Sequence, residues 1–144
     1  MDRERLEQRI RTGIPISAQM DFHVLELGAT RICVSGGGHE NVNVHGTAFA
    51  GSLYAICTLA AWGLTHSRLP APAALVLAEG KIRYLRPVNG AIVARCECTE
   101  PAIDAFLNTL QRDGRARIDL QVTVDAGGKQ AVLYTCQLHA RLPG

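Results

Sequence analysis

The sequence predicts an α+β protein in which a curled antiparallel sheet wraps around a long central helix. Three observations lead there. The stretch from Gly46 to Thr65 carries no charge, so it must be hidden from water. Pro70 and Pro72 then end helical structure, and beyond them the hydrophobic period changes from 3.6 to 2.

Each element follows in order. Residues Asp2 to Arg11 have helical charge patterning with Leu6 and Ile10 four apart, and Gly13 and Pro15 stop the run, which predicts a short N-terminal helix on the surface. Phe22 to Leu27 and Arg31 to Ser35 predict two strands joined at Gly28 and broken by Gly36-Gly37-Gly38. Those glycines make no phosphate loop, because no Gly-Lys-Ser/Thr follows. After the central helix, Ile82 and Tyr84 alternate with Lys81 and Arg83, and Ile92, Ala94, Cys96 and Cys98 alternate with more polar neighbours. The same holds for Ile118, Leu120, Val122 and Val124, and for Val132, Tyr134, Cys136 and Leu138. Such alternation marks antiparallel strands with one buried and one wetter face. Between them Ile103, Phe106, Leu107 and Leu110 predict one more helix, over Glu100 to Arg112, with Pro101 in its first turn and Gly114 after it. A helix without charges cannot lie on an open sheet surface, so the sheet must curl around it; that arrangement is the hotdog fold.

Length and composition fit one domain over residues 1–144, with 47% hydrophobic and 19% charged residues and neither linker nor repeat. Thr47, Gly51, Ser52, Tyr54, Thr58 and Gly63 dilute the apolar run too far for a membrane span. The start, Met1-Asp2-Arg3-Glu4-Arg5, lacks the apolar centre of a signal peptide, which predicts a cytoplasmic protein. Five cysteines are an odd number scattered through apolar segments, as buried reduced thiols would be. No second Cys/His pair accompanies Cys96 and Cys98, so no metal site is expected, and no motif calls for a cofactor. A net charge of +2 and 5% aromatic residues do not favour nucleic acid.

Placed at 100° steps, Phe49, Ser52, Leu53, Ile56, Leu59 and Ala60 form a core stripe, while Thr47, Gly51, Tyr54 and Thr58 form an opposite face open to a ligand, a backbone or a second subunit. Ser52 lies in the apolar stripe without a nucleophile-elbow setting and is expected to bond back to the Ala48 carbonyl. At the mouth of the run stand Asn43, His45, Gly46 and Thr47. The first turn of a helix leaves N–H groups unpaired, and its dipole adds about +0.5 charge, so Gly46 and Thr47 are candidate oxyanion donors. The same residues also read as a plain N-cap in which Asn43 or His45 satisfies those donors.

Asn43-Val44-His45-Gly46-Thr47-Ala48-Phe49-Ala50-Gly51-Ser52-Leu53-Tyr54, continuing to Leu59-Ala60-Ala61-Trp62-Gly63-Leu64, resembles the thioesterase-type domain at the C-terminus of YiiD-type proteins, within the hotdog superfamily. Ile82 to Gly90 and Gly114-Arg115-Ala116-Arg117 are similar to that family too. The resemblance implies hydrolysis of acyl thioesters on coenzyme A or an acyl carrier protein by a homodimer or dimer of dimers. In related hotdog thioesterases a His-Gly-Gly segment supplies the oxyanion donor, and a carboxylate nine residues after that His activates water. Here His45 and Gly46 match, Thr47 replaces the second glycine, and the ninth position is Tyr54, a poor base at neutral pH but a candidate catalytic hydrogen-bond donor to orient water or substrate.

Glu79, on the wetter face of its strand, is the candidate replacement base, with pairing to Lys81 or Arg83 as the structural alternative; Asn43 and His45 are candidates to position water without any carboxylate. Lys81, Arg83, Arg115 and Arg117 are candidates to hold substrate phosphates. Two other functions compete: an acyl or carrier-protein binding module without turnover, and a dehydratase of 3-hydroxyacyl thioesters.

Overall fold

A computed structural model describes residues 1–144. Helix α1 (Arg3–Gly13) is opened by Asp2, whose side chain accepts the Arg5 N–H, and Leu6 and Ile10 are its buried residues. A short α2 (Ile16–Gln19) leads into strands β1 (Phe22–Leu27) and β2 (Arg31–Gly36). Helix α3 (Ala50–Arg68) is followed by β3 (Ala74–Tyr84), β4 (Ile92–Glu97), α4 (Glu100–Asp113), β5 (Arg115–Ala126) and β6 (Lys129–Arg141). The Thr99 side chain caps α4 by accepting the Ala102 N–H, and Gly114, at φ 76°, supplies the left-handed residue that ends it.

Six strands form one sheet in the order β1-β2-β4-β5-β6-β3, with every neighbouring pair antiparallel. α3 packs against β2, β4, β5, β6 and β3, so the sheet curls around it, as the uncharged sequence requires. Ile56, Cys57, Ala60, Ala61 and Leu64 of α3 are fully buried and join Val34, Ala94, Val122 and Tyr134 of the sheet in one core cluster. The helix lies close on β2: a Cβ at Gly36 would come within 2.7 Å of Ile56 Cδ1. α1 closes one end and α4 covers β5 through Ile103, Phe106 and Leu110. This is the hotdog arrangement, and no helix in it is long and apolar enough to cross a membrane.

Three expectations are corrected. The central helix begins at Ala50, not at Gly46, because Gly46 takes φ 78° and the next residues are tied sideways. The Ala48 N–H donates to the Val88 carbonyl at 2.8 Å and the Phe49 N–H to Asn41 at 2.7 Å. Phe49, expected in the core stripe, is therefore the N-cap and is 53% exposed. The rest of the stripe is buried as expected, although Ser52 Oγ forms no bond to Ala48. That carbonyl accepts Asn43 Nδ2 instead, at 3.3 Å.

Strand β3 is an edge strand with one extra residue. Leu77 pairs with Leu138 and Gly80 with Cys136, so three steps on β3 match two on β6, and Ala78 is the bulge. Leu75 and Leu77 before it, and Gly80, Ile82 and Tyr84 after it, consequently all face α3, whereas Glu79, Lys81 and Arg83 face away.

Deleting a buried branched side chain at the centre of this core creates a cavity. Ile56→Ala should cost about 2–5 kcal/mol in urea unfolding. The far end of α3 carries a pH-sensitive contact, where His66 stacks on Trp62 with centroids 4.5 Å apart. Burial, and then the nearby Arg9, hold its pKa below the ordinary imidazole value. As pH falls, the unfolded chain therefore takes up the proton first. The stability linked to His66 is full above the ordinary value of about 6.5 and is lost as pH falls through it toward the lower folded value. The melting temperature should drop between pH 7 and pH 5, and drop less in His66→Phe.

Candidate active site at the first turn of the central helix

The approach to α3 is a loop held together by a single side chain. Asn43 Oδ1 accepts the His45 N–H at 2.8 Å and the Thr47 N–H at 3.3 Å. Its Nδ2 donates to Thr47 Oγ1 at 2.9 Å and to the Ala48 carbonyl at 3.3 Å. Its backbone adds two bonds, N–H to the Thr47 carbonyl at 2.8 Å and carbonyl from the Gly46 N–H at 3.0 Å. An Asn folding back on its own following residues is a turn-forming device, and here both amide ends are committed to it. The sequence reading of Gly46 and Thr47 as free donors is thereby corrected, since both N–H groups are spent inside the loop. Gly46 is needed instead for its positive φ.

The unpaired donors lie four residues further on. Leu53 is the first residue of α3 to donate backward, to Phe49, and the N–H groups of Ala50, Gly51 and Ser52 have no partner in the chain. The N-cap residue, Phe49, is apolar and supplies no side-chain acceptor. Ala50 and Gly51 are exposed, so these donors and the positive end of the helix dipole face an open mouth. A Cβ at Gly51 would come within 2.5 Å of Phe49 Cε2, so a side chain there would displace that exposed ring. The first turn is steadied by Tyr84, whose hydroxyl donates to the Ala50 carbonyl at 2.8 Å. Although its ring is half exposed, its hydroxyl end turns inward. Burial chiefly, then the Cys57 and Tyr54 groups, pushes the Tyr84 pKa up. Ala50, Ser52 and Tyr84 are the site residues that the sequence reading missed, whereas Gly51 was already placed on the face open to a ligand. The parity of Tyr84 with inward-facing Ile82 was the one signal for it.

His45 is exposed, and its ring makes no hydrogen bond or ion pair. Tyr54 stands one turn inside the helix, half buried, with its ring edge-on to Tyr134 at 5.3 Å between centroids. Glu79 is not part of this mouth, because it points to the outer face of the sheet while α3 lies against the inner face. There it shares a shallow depression with Lys81, Asp119, Gln121 and Gln137. This corrects its candidacy as a base for the helix mouth. Arg83 continues that face on β3, and Arg115 and Arg117 occupy its other end on β5, opposite Arg141 and His139 respectively. The four basic candidates thus share a face without forming one cluster. No group of three or more His, Cys, Asp or Glu side chains is disposed to hold a metal ion.

Comparison with known proteins gives the family. The family model "Putative thioesterase (yiiD_Cterm)" matches residues 3–140, and the chain belongs to that family. A solved structure from Shewanella oneidensis, named a putative thioesterase, is 32% identical with a TM-score of 0.85, covering 98% of this chain and 97% of the other. A protein of unknown function from Chlorobaculum tepidum is 25% identical with a TM-score of 0.91, covering 97% and 94%. A thioesterase from Haemophilus influenzae shares the fold at 15% identity and a TM-score of 0.78, covering 100% and 94%.

Removing the Asn43 side chain leaves the His45 and Thr47 N–H groups without an acceptor. Asn43→Ala should speed hydrogen exchange at those two amides, with a local cost of about 1–3 kcal/mol, and leave exchange in β5 and β6 as it was. Unaltered exchange at His45 and Thr47 would remove Asn43 from its role as the staple of the loop.

Proposed function

We propose that the chain hydrolyses acyl thioesters, with water attacking the thioester carbonyl at the first turn of α3. The observation that carries this reading is the set of unpaired N–H groups at Ala50, Gly51 and Ser52, the first two on exposed residues and the third at the buried inner side. Water adds to the carbonyl carbon, and the oxygen that becomes negative is held by those donors and the helix dipole. The tetrahedral species then collapses with loss of the thiolate, which takes up a proton to leave as the free thiol. His45 is the group we assign to receive the proton from water, because imidazole is the side chain best suited to proton transfer near neutral pH, and it stands unpaired on the adjoining loop. Asn43 fixes the loop that carries it. Membership of a thioesterase family supports the reaction class.

The substrate class we assign is an acyl group on coenzyme A or an acyl carrier protein. Lys81, Arg83, Arg115 and Arg117 are assigned to its phosphates, and their lack of ion-pair partners in the chain supports this. The working unit is proposed to be a homodimer or dimer of dimers. β3 offers an open edge of 11 residues, with Val76, Tyr84 and Leu85 exposed along and just beyond it, and the neighbouring face of α3 is only half buried. An open edge of that kind favours strand pairing with a second copy, which would enclose the site between subunits. Five free cysteines suit a reducing compartment such as the cytoplasm. The competing reading is a module that binds acyl thioesters without turning them over. The absence of a carboxylate at Tyr54 and the outward position of Glu79 favour it.

A panel of acyl-CoA thioesters with a thiol reagent, corrected for the protein's own thiols, separates these readings. The purified protein should release free thiol. His45→Ala should lower kcat about 10²-fold with an unchanged melting temperature. Gly51→Ala, which crowds Phe49 over the donors, should lower kcat at least about 10-fold. Wild-type binding without thiol release would establish the binding module, and full turnover in His45→Ala would remove that residue from the mechanism.

A further inference from the structure

Ala50, Tyr54, Thr58 and Trp62 succeed one another at four-residue spacing, so they form one line down α3. Each meets β3 or β6. Tyr84 donates to the Ala50 carbonyl, Tyr134 stands edge-on to Tyr54, and the Trp62 indole N–H donates to the Leu75 carbonyl at 3.0 Å. Thr58 Oγ1 donates to the Tyr54 carbonyl at 2.9 Å, which spends its one hydrogen. The Tyr134 hydroxyl, 2.7 Å away, is therefore the donor to Thr58 Oγ1. The line starts at the unpaired N–H groups and follows the seam between helix and edge strand. Tyr54, Thr58 and Trp62 are only half buried, whereas Leu53, Ile56, Cys57, Ala60 and Ala61 on the other sides are closed off.

A thioester held with its carbonyl oxygen on those donors can lay its acyl chain along this half-buried seam, which begins at the first turn. Tyr54 stands across that path. Its hydroxyl occupies the space that a Cβ on Gly80 would need, and Gly80 is the inward-facing position of β3 without a side chain. The Tyr54 hydroxyl has no hydrogen-bond partner in the chain, so a polar anchor does not account for its position. Tyr134, fully buried and tied to Thr58, backs the ring and prevents it from swinging deeper. From Ala50 to Tyr54 is about one turn, about 6 Å along the axis, or about four to five bonds of an extended alkyl chain, whose bonds of about 1.5 Å each advance about 1.25 Å.

We propose that Tyr54 is the stop of the acyl slot, and that it restricts the substrate to short acyl groups, of about four carbons. This rests on the thioesterase reading above. Tyr54 acts here as a specificity-determining side chain, and Gly80 is the matching recess that lets its hydroxyl lie flat against the strand. Without the phenol ring, the seam continues past Thr58 toward Trp62.

The test is kcat/KM across saturated acyl-CoA thioesters from acetyl to dodecanoyl. Wild type should fall at least tenfold from butanoyl to decanoyl. Tyr54→Ala should favour decanoyl, with each additional methylene that enters the slot worth about fourfold. Tyr54→Phe keeps the ring and should keep the wild-type ranking. Tyr54→Leu retains apolar volume but cannot reach Gly80, and it replaces Tyr54→Ala if that variant fails to fold. Wild type taking decanoyl as readily as butanoyl, or an active Tyr54→Ala or Tyr54→Leu with the wild-type ranking, would overturn the proposal. If wild type releases no thiol from any thioester, the hydrolytic reading fails, and calorimetric titration with butanoate and decanoate reads the slot by itself. Decanoate binding by Tyr54→Ala and not by wild type supports the stop, and equal behaviour of the two proteins refutes it.

Discussion

A helix without a charged residue from its first turn to Thr65 persists only where other elements keep water away from it. The rest of this fold answers that constraint. A flat sheet covers one side of a helix; covering several requires the sheet to curl, and five of the six strands touch α3 as a result. α1 is drawn in for the same reason, closing the end that the sheet leaves open through Leu6 and Ile10. The side left half covered faces the edge strand, and the unpaired donors of the first turn open at its head.

The same constraint explains how the first turn comes to be uncapped. Sequestration of α3 begins before the helix does, because Ala48 is pinned by Val88 from a distant part of the chain and Phe49 by Asn41 from the same loop. Asn43 folds the preceding residues into a closed turn that consumes its own polar groups. What remains at the helix start is a phenylalanine and three backbone donors without acceptors. An unpaired donor set next to a glycine is well suited to stabilising negative charge that develops on a substrate oxygen.

Much of this was legible in the residues. The alternation from Ile92 to Cys98, Arg117 to Val124 and Val132 to His139 marks β4, β5 and β6, because the period of two is enforced locally by the pleat. Proline and glycine at the ends of α4 had the same local force. The start of α3 was not legible, because Gly46 to Phe49 are as free of charge as the helix proper, and the bonds that hold them out of it, from Asn41 and Asn43 just upstream and from Val88 far along the chain, leave no mark on hydrophobic period. Strand parity placed Glu79 with Lys81 and Arg83 correctly. Which side of the sheet the helix would occupy is a property of the curl, and it removed Glu79 from the mouth of the site. Tyr84 shows the reverse: its inward parity was visible, while its contact with Ala50 appears only when strand and helix are brought together.

The extra residue at Ala78 also has a bearing on solubility. A long, regular edge strand is a template onto which any extended peptide can add, and repeated addition of that kind builds fibres. Here the phase shift divides the open edge of β3 into Ala74–Leu77 and Glu79–Tyr84, each only a few residues long, the second carrying Glu79, Lys81 and Arg83. A regular stranger that matches one segment is out of step with the other. The irregularity that lets both halves of β3 turn their apolar side chains toward α3 thus also shortens the flat surface on which unwanted sheet growth could begin.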